Sequence, residues 1–255
     1  MKKKIFYLSI IFLIFCITFL NMKSVRFTGI NHVITEEKIT NFKKITDLYV
    51  RDKNYKRLVQ KINKDSLSKK ESILKISGWI YSNLNKISSN DDVIDSHPWT
   101  IIERKLGAKD QFSDILSVLF VYSDINSFFI TRFNKIGNPL TFFEYKNSWS
   151  LIDPYYGVYF LNNKNEFCNL KNLRNKNCFF YHLKFGEIKK NHLSKIFYDK
   201  NFVNLKNLNT YYNFLFEDLP KAKEIEDTNI YNRGGRSHIQ KPFHRFIYQV
   251  QNLIN

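Results

Sequence analysis

Two stretches of the sequence could bring side chains of catalytic type together. Residues 107–113 read Gly-Ala-Lys-Asp-Gln-Phe-Ser and precede an apolar segment of helical period, while residues 149–154 read Trp-Ser-Leu-Ile-Asp-Pro and are typical of a strand. A helix N-terminus favours the ionised form of a nucleophile, and a carboxylate at a strand end can orient a general base. In this chain the helix start holds Lys109 and the strand end holds Asp153.

The order and spacing of these stretches, over about residues 71–160, resemble the transglutaminase-like superfamily of papain-related enzymes. In that family a Gly-x-Cys-Asp-Gln stretch opens a helix with the nucleophile. A later His-[Ser/Thr]-x-x-Glu strand supplies the base, and a Trp-x-x-x-Asp-Pro strand supplies the third member. The resemblance implies an α+β fold, with a transglutaminase-like core in which a helix packs on an antiparallel sheet. The matching positions here are Lys109, Leu140 and Asp153.

The residues at these positions predict a pseudoenzyme. Lys109 at a helix start would be protonated, and only strong desolvation would make it a nucleophile. Leu140 has no titratable atom, so Asp153 has no imidazole to orient. Because loss of the nucleophile or the base alone nearly abolishes triad catalysis, we expect none here. We expect instead an ion pair between Lys109 and Asp153, since an unpaired buried carboxylate would be costly.

Other polar residues could in principle replace the missing members. Ser113 lies one helical turn after Lys109, and His97 and His182 flank the segment in sequence. Ser113 would need a nearby base, and His97 and His182 are each expected to be an ordinary surface or capping residue. Glu103 and Asp110 are not spaced as the paired carboxylates that act as general acid and base in a hydrolase. The sequence shows no phosphate loop, dinucleotide fingerprint or metal-ligand cluster, so no cofactor is predicted.

Apolar periodicity predicts the elements that would position these residues. Helices are predicted over 34–64 with Thr35 as N-cap, over 69–86, from Pro98 to Arg104, over 110–123 and over 239–254. Strands are predicted over 127–133, 140–145, 149–153 and 178–183, with a hairpin turn at 146–148. Alternation places Leu140 with Phe142 on one strand face, and Leu151 with Asp153 on one face of the next. The apolar segment 211–216 is expected to pack on the core.

The N-terminus predicts a membrane segment. Lys2, Lys3 and Lys4 precede an uncharged run of about 18 residues, near the lower limit for a helix that crosses a bilayer. Small residues of a signal-peptidase site are missing, which favours an uncleaved signal anchor over a secreted chain with a cleaved signal. The positive-inside rule then places the body outside the cytoplasm.

Two further groups of residues could have a role outside the cleft. Cys168 and Cys178 could close a short disulfide loop in an oxidising compartment, worth about 3 kcal/mol of loop entropy, or be two unrelated thiols. Arg233 and Arg236 flank a Gly-Gly pair and could bind an anion, although an exposed basic turn is the simpler interpretation.

Composition limits the partners. The 255 residues hold 40 Lys and Arg against 23 Asp and Glu, a net charge of +17. A basic body outside the membrane makes nucleic acid an improbable partner and favours an anionic glycan, a lipid head group or a protein. The charge also fits a plain bias toward Lys, Asn and Ile, which suggests a bacterial chain.

The predicted organisation has four parts. These are a signal anchor or transmembrane helix (1–24), a polar helical segment (25–68), the transglutaminase-like core (69–160) and a C-terminal extension packed on it (161–255). The predicted function is binding or scaffolding at the cell envelope. The alternatives are a cysteine-peptidase or amide-transfer enzyme with relocated residues, a structural subunit of a membrane complex, and a different α+β domain with a chance Asp-Pro.

Overall fold

The computed structural model describes residues 2–30, 33–87, 97–130, 139–189, 193–196, 205–217 and 219. Its helices and strands follow in chain order: α1 (Lys2–Asn21), β1 (Lys23–Ile30), β2 (Val33–Thr40), α2 (Asn41–Asn63), α3 (Lys69–Asn83), β3 (Asn85–Lys86), α4 (Pro98–Arg104), β4 (Leu106–Gly107), α5 (Lys109–Tyr122), β5 (Ser127–Ile130), β6 (Leu140–Tyr145), β7 (Ser148–Asp153), β8 (Val158–Leu161), α6 (Leu170–Arg174), β9 (Phe179–His182), β10 (Gly186–Glu187), α7 (Leu193–Ile196) and α8 (Leu205–Glu217).

Six of these strands form one antiparallel sheet, in the order β10-β9-β8-β7-β6-β5. Each strand pairs with its neighbour in sequence, so the sheet contains no crossover connection among its described strands. The turn between β6 and β7 consists of Lys146 and Asn147, both at positive φ, as a two-residue hairpin turn requires. The hairpin predicted from the sequence is therefore present.

Alternation along the strands divides the core into two layers. Phe143, Ile152 and Tyr159 pack with buried residues of α2, α3, α4 and α5. Phe142, Leu151 and Phe160 point to the opposite face and pack with α6, α7 and α8. Helices therefore cover both faces of the sheet, and each fully buried Leu, Ile or Phe contributes about 1.5–3 kcal/mol. The mixed α+β architecture agrees with the predicted fold class.

Helix α5 begins at Lys109, within one residue of the predicted start. Its predicted apolar face is buried, since Phe112, Ile115 and Leu116 have no exposed surface. Ser113 fixes this helix to the sheet, because its hydroxyl donates to the Pro139 carbonyl at 3.0 Å. The Thr141 hydroxyl donates in return to the Ser113 carbonyl at 3.1 Å. These two bonds place the start of α5 beside the start of β6.

The prediction of a helix from residue 34 is wrong in its first turns. Residues 33–40 form β2, which pairs with β1 in a hairpin. Thr40, not Thr35, caps α2 by accepting a hydrogen bond from the Lys43 backbone N–H. The β-branched run of Val33, Ile34 and Thr35 favours a strand, and its pairing with β1 outweighs the weak helical period.

Helices α3 and α4 lie close to their predicted positions. Helix α3 ends at Asn83, three residues before the predicted end, because Asn85 and Lys86 form a short parallel pair with β4. Helix α4 begins at Pro98, as predicted, and His97 is its N-cap. The pairing of β3 with β4 brings Lys86 level with Gly107, just before α5.

Helix α1 is apolar, and none of the side chains described for it is buried. Residues Lys4–Asn21 form an 18-residue stretch of mean hydropathy 2.1, none of it buried against the rest of the chain. Its length and composition allow it to cross a membrane, although a signal sequence has the same properties. A core helix would be buried, and this one is not.

The described C-terminal residues cover the second face of the sheet. Tyr212, Leu215 and Phe216 of α8 are buried against it, as expected for the apolar segment 211–216. The sheet itself continues beyond residue 160 with β9 and β10. The predicted helix over 239–254 and the loop with Arg233 and Arg236 lie outside the described residues.

Candidate functional site

Asp153 stands at the end of β7 and is buried, with 1% of its surface exposed. Its Oδ1 accepts a hydrogen bond from the Tyr156 backbone N–H at 3.0 Å, which closes the turn through Pro154. Its Oδ2 accepts a hydrogen bond from the Tyr212 hydroxyl at 2.9 Å. Both carboxylate oxygens therefore bind groups that hold the local structure together.

Strand register places Leu140 beside Asp153. Thr141 pairs with Ile152, so the preceding residue of β6 lies opposite the following residue of β7. Leu140 is fully buried in the layer that also holds Leu151 and Val158. The two positions matched by the resemblance are thus neighbours on one sheet face, and an imidazole at position 140 would lie next to the carboxylate.

Two lysines, Lys86 of β3 and Lys109 of α5, lie near this end of β7. The Lys109 ammonium, at the start of α5, lies 5.4 Å from the ring centroids of both Tyr155 and Tyr156. The Lys86 ammonium lies 4.7 Å from the Tyr155 ring and 5.4 Å from the Tyr156 ring. These are cation–π distances. We call Lys86, Lys109, Tyr155 and Tyr156, together with Asp153, the lysine–tyrosine cleft.

The predicted ion pair between Lys109 and Asp153 is not formed. Among the described residues, the ion pairs within 4.0 Å lie elsewhere, on α2, on α3, between Lys146 and Glu166, and near the end of α8. The hydrogen bonds from Tyr156 and Tyr212 stabilise the carboxylate instead. Lys109 acts on Asp153 only through its charge, which favours the ionised carboxylate.

Burial determines the electrostatics of the cleft. Desolvation raises the pKa of the Asp153 carboxyl, and the two hydrogen bonds and the charges of Lys109 and Lys86 oppose this rise. Desolvation lowers the pKa of Lys86, and the like charge of Lys109 lowers it further, while Asp153 opposes both. Burial and the neighbouring Asp153 raise the pKa of Tyr212, which remains a hydroxyl donor.

The three residues considered as replacements for triad members have other, structural roles. His97 accepts the Trp99 backbone N–H at 3.1 Å and so caps α4. His182 accepts the Lys184 backbone N–H at 3.0 Å, and Val158 separates it from Asp153 in the sheet row. Ser113 donates to the Pro139 carbonyl. In the described part of the chain, none of these three side chains bonds to Asp153, so none is arranged as part of a triad with it.

Cys168 and Cys178 form a disulfide in this structure, with Cα atoms 6.3 Å apart. The remaining cysteine, Cys16, lies in α1. No cysteine thiol therefore lies near the lysine–tyrosine cleft. Among the described residues, no group of three or more His, Cys, Asp and Glu could hold a metal ion.

Sequence reasoning located Lys109, Leu140 and Asp153 but missed Lys86 and Tyr212. Lys86 was placed in a helix, whereas it lies in β3 beside the start of α5. Tyr212 lies in the segment expected to pack on the core, yet nothing in the sequence links it to a residue 59 positions earlier. The adjacent Tyr155 and Tyr156, which follow Asp-Pro directly, were the available signal for an aromatic surface.

Comparison with known proteins gives little further information. No family model and no curated protein matches the chain. Among solved structures, the chain is similar to a candidate cysteine protease from Cytophaga hutchinsonii, at 18% identity and a TM-score of 0.34. The alignment covers 43% of this chain and 41% of that one, so the chain spans less than half of that protein. A likeness at this level assigns no activity to the chain.

Proposed function

We propose that this chain is a membrane-anchored, non-catalytic binding domain with a transglutaminase-like core that acts at the cell envelope. The bonding of Asp153 is the observation that carries the proposal. A catalytic carboxylate would orient an imidazole, whereas this one accepts hydrogen bonds from Tyr156 and Tyr212. Leu140 fills the position beside it and cannot exchange a proton.

The lysine–tyrosine cleft is the binding site that we propose for an acidic group of a glycan or peptide. Lys86 and Lys109 carry like charges close enough for one to disfavour the charge of the other. A carboxylate or phosphate between them would relieve this repulsion through charge-assisted hydrogen bonds. The half-buried ring of Tyr155 adds an apolar surface of the kind that ligand sites use.

The anchor and the disulfide support an extracytoplasmic location. Helix α1 is exposed and apolar, with a cluster of lysines at its N-terminal end. The disulfide between Cys168 and Cys178 suits an oxidising compartment. Under the positive-inside rule, the lysine cluster stays in the cytoplasm and the body lies on the other side.

Binding to an acidic polysaccharide tests the proposal. The full chain in detergent micelles is titrated with polygalacturonate, and the fully methyl-esterified polymer serves as the uncharged control. Replacing both Lys86 and Lys109 with Met keeps most of the apolar side-chain volume but removes both charges. We expect an affinity about tenfold lower, equivalent to about 1.4 kcal/mol.

Lys61→Met, on the exposed surface of α2, is the matched control for loss of a positive charge. Equal binding of polygalacturonate by the double variant and this control would show that the polymer binds to the overall positive charge of the chain and not to the lysine–tyrosine cleft. Covalent labelling of the native chain by a thiol- or serine-directed probe, abolished by one substitution, would favour an enzyme instead.

A further inference from the structure

Helix α2 carries large apolar side chains on its exposed face. Its side toward the core is marked by Tyr55 and Val59, which are buried. Phe42, Ile45 and Tyr49 are instead 58%, 46% and 56% exposed, and their spacing places them on one face of the helix. A row of large exposed apolar side chains indicates a contact surface.

The same face becomes basic further along the helix. Lys53, Lys56 and Gln60 follow at the same spacing of three or four residues, and all three are exposed. The Lys53 ammonium lies 4.4 Å from the centroid of the Tyr49 ring, and the Lys56 ammonium pairs with Asp52 on the same helix. One continuous face of α2 is therefore apolar in its first part and basic in its second.

Asn41 fixes the start of α2 to the end of α1. Its backbone N–H donates to the Met22 carbonyl at 2.9 Å, and its side-chain amide donates to the Phe19 carbonyl at 3.0 Å. The Ser24 hydroxyl donates to the Asn41 side-chain oxygen at 2.8 Å. The apolar part of the α2 face therefore begins at the level where α1 ends.

The length of α1 determines where that level lies in a membrane. Its apolar stretch of 18 residues is about 27 Å long, slightly shorter than a hydrocarbon core of about 30 Å. In a bilayer that α1 spans, both ends of the stretch therefore lie at the boundary between hydrocarbon and head groups. Aromatic side chains are favoured at this boundary, and lysines beside it extend their ammonium groups toward the head groups.

We infer that the face of α2 formed by Phe42, Ile45, Tyr49, Lys53 and Lys56 docks on the anionic lipid surface of the bilayer that α1 spans. The apolar part enters the boundary, and the two lysines contact lipid phosphates. Anionic head groups suit the net charge of +17 better than neutral ones do. The inference rests on the membrane anchor of the proposed function, and it places the body against the membrane surface.

Spin labels on the full chain in vesicles of phosphatidylcholine and phosphatidylglycerol test the inference. Cys16→Ser removes the free thiol, and single cysteines then replace Ile45 on the docking face, Phe12 in α1 or Lys171 on α6. Because α6 packs on the opposite face of the sheet from α2, Lys171 is the aqueous control. We expect a water-soluble nickel chelate to collide with the label about fivefold less often at position 45 than at position 171.

Loss of the apolar side chains should expose the label at position 45. Phe42→Ser combined with Tyr49→Ser should raise its nickel collision rate to the rate at position 171. Both side chains are exposed, so the unfolding temperature should stay unchanged. Leu67→Ser, at a leucine that is 95% exposed after the end of α2, is the matched control and should leave the rate at position 45 as it was.

The lipid composition tests the basic part of the face. A label at Gln60→Cys should collide more often with the chelate when phosphatidylglycerol is omitted, because the lysines then lose their anionic partners. A rate at position 60 that is independent of phosphatidylglycerol would overturn the inference, and so would a rate at position 45 that the two serine substitutions leave unchanged.

The label at Phe12→Cys separates this inference from the anchor. Protection from the chelate at position 12 with full access at position 45 would overturn the docking of α2 and leave the anchor in place. Full access at both positions would overturn the anchor and the docking together.

Discussion

Tyr212 of α8 donates its hydroxyl hydrogen bond to the Oδ2 of Asp153 at 2.9 Å, across the interface between that helix and the sheet. Both residues are buried, at 0% and 1% exposure. The bond joins positions 59 residues apart and stabilises a carboxylate that would otherwise be desolvated without compensation. Asp153, the residue that the sequence pattern singled out at a strand end, therefore has a structural partner.

Tyr212→Phe should destabilise the fold. The change removes one of the two donors to Asp153 and leaves the carboxylate buried, which costs about 1.5–3 kcal/mol for a bond to a charged group. Urea denaturation measures the loss in free energy of unfolding. Tyr145→Phe, at a buried tyrosine of β6 away from Asp153, is the control and should cost less. Equal losses would show that the hydroxyl bond to Asp153 contributes nothing specific.

Stability should fall as the pH rises above the ordinary pKa of an aspartate. Burial raises the folded-state pKa of the Asp153 carboxyl above its ordinary value of 3.8, so the folded chain binds this proton more tightly than the unfolded chain does. The contribution of Asp153 to the free energy of unfolding therefore falls from pH 3.8 upward and levels off above the raised pKa. Asp153→Asn should remove this trend in a series of urea denaturations. A native-minus-variant difference that grows with pH would contradict it.

Gly157→Ala should destabilise the fold more than Gly186→Ala does, although alanine is under the same backbone strain at both sites. Both glycines have positive φ, +69° and +68°, so alanine is strained at either. A Cβ at Gly157 would also lie 2.8 Å from the Tyr81 ring and 3.1 Å from the His182 Nε2, whereas nothing lies within 4 Å at Gly186. We expect Gly186→Ala to lower the free energy of unfolding by about 1 kcal/mol through strain. Gly157→Ala should lower it by about 1–3 kcal/mol more. Thermal unfolding of the two variants measures the difference, which should vanish if Tyr81 moves freely.

Placing the residues that the resemblance implies at positions 109 and 140 tests whether these positions have the geometry of a catalytic cleft. Lys109→Cys combined with Leu140→His places a thiol at the start of α5 and an imidazole beside Asp153. Iodoacetamide alkylation as a function of pH reports the thiol pKa. We expect a lower thiol pKa in the double variant than in Lys109→Cys alone, because the imidazolium stabilises the thiolate. Identical pH profiles would mean that the helix start and the strand are not arranged as in a catalytic cleft.

Helix α1 should stay in the mature protein, uncleaved, and anchor it in the membrane. We expect the expressed protein to stay in the membrane fraction after alkaline carbonate washing, and its N-terminal peptide to retain the residues of α1. Deletion of residues 2–21 should release the body into the soluble fraction. A mature N-terminus near residue 22 would show that the segment is a cleaved signal, which the composition also permits.

The sequence predicted those elements whose signal is local. The apolar face of α5 and the alternation in β6 and β7 placed Lys109, Leu140 and Asp153 at a helix start, in a strand and at a strand end. It failed at residues 33–40, where pairing with the preceding strand β1 in a hairpin outweighs a weak helical period. It failed again at Lys86, because a two-residue parallel pair leaves almost no pattern.

By itself, the sequence of this protein determined an apolar first helix, an α+β pattern and a basic chain, with Lys109 at a helix start, Leu140 in a strand and Asp153 at a strand end. The tertiary structure decided which side chains meet around these positions. It placed Tyr212 on Asp153, Lys86 and Lys109 over Tyr155 and Tyr156, and Asn41 of α2 on the end of α1. Periodicity depends on neighbours three or four residues away and can be read along the chain. These contacts depend instead on how helices and strands far apart in sequence pack, and that is fixed only when the whole core forms.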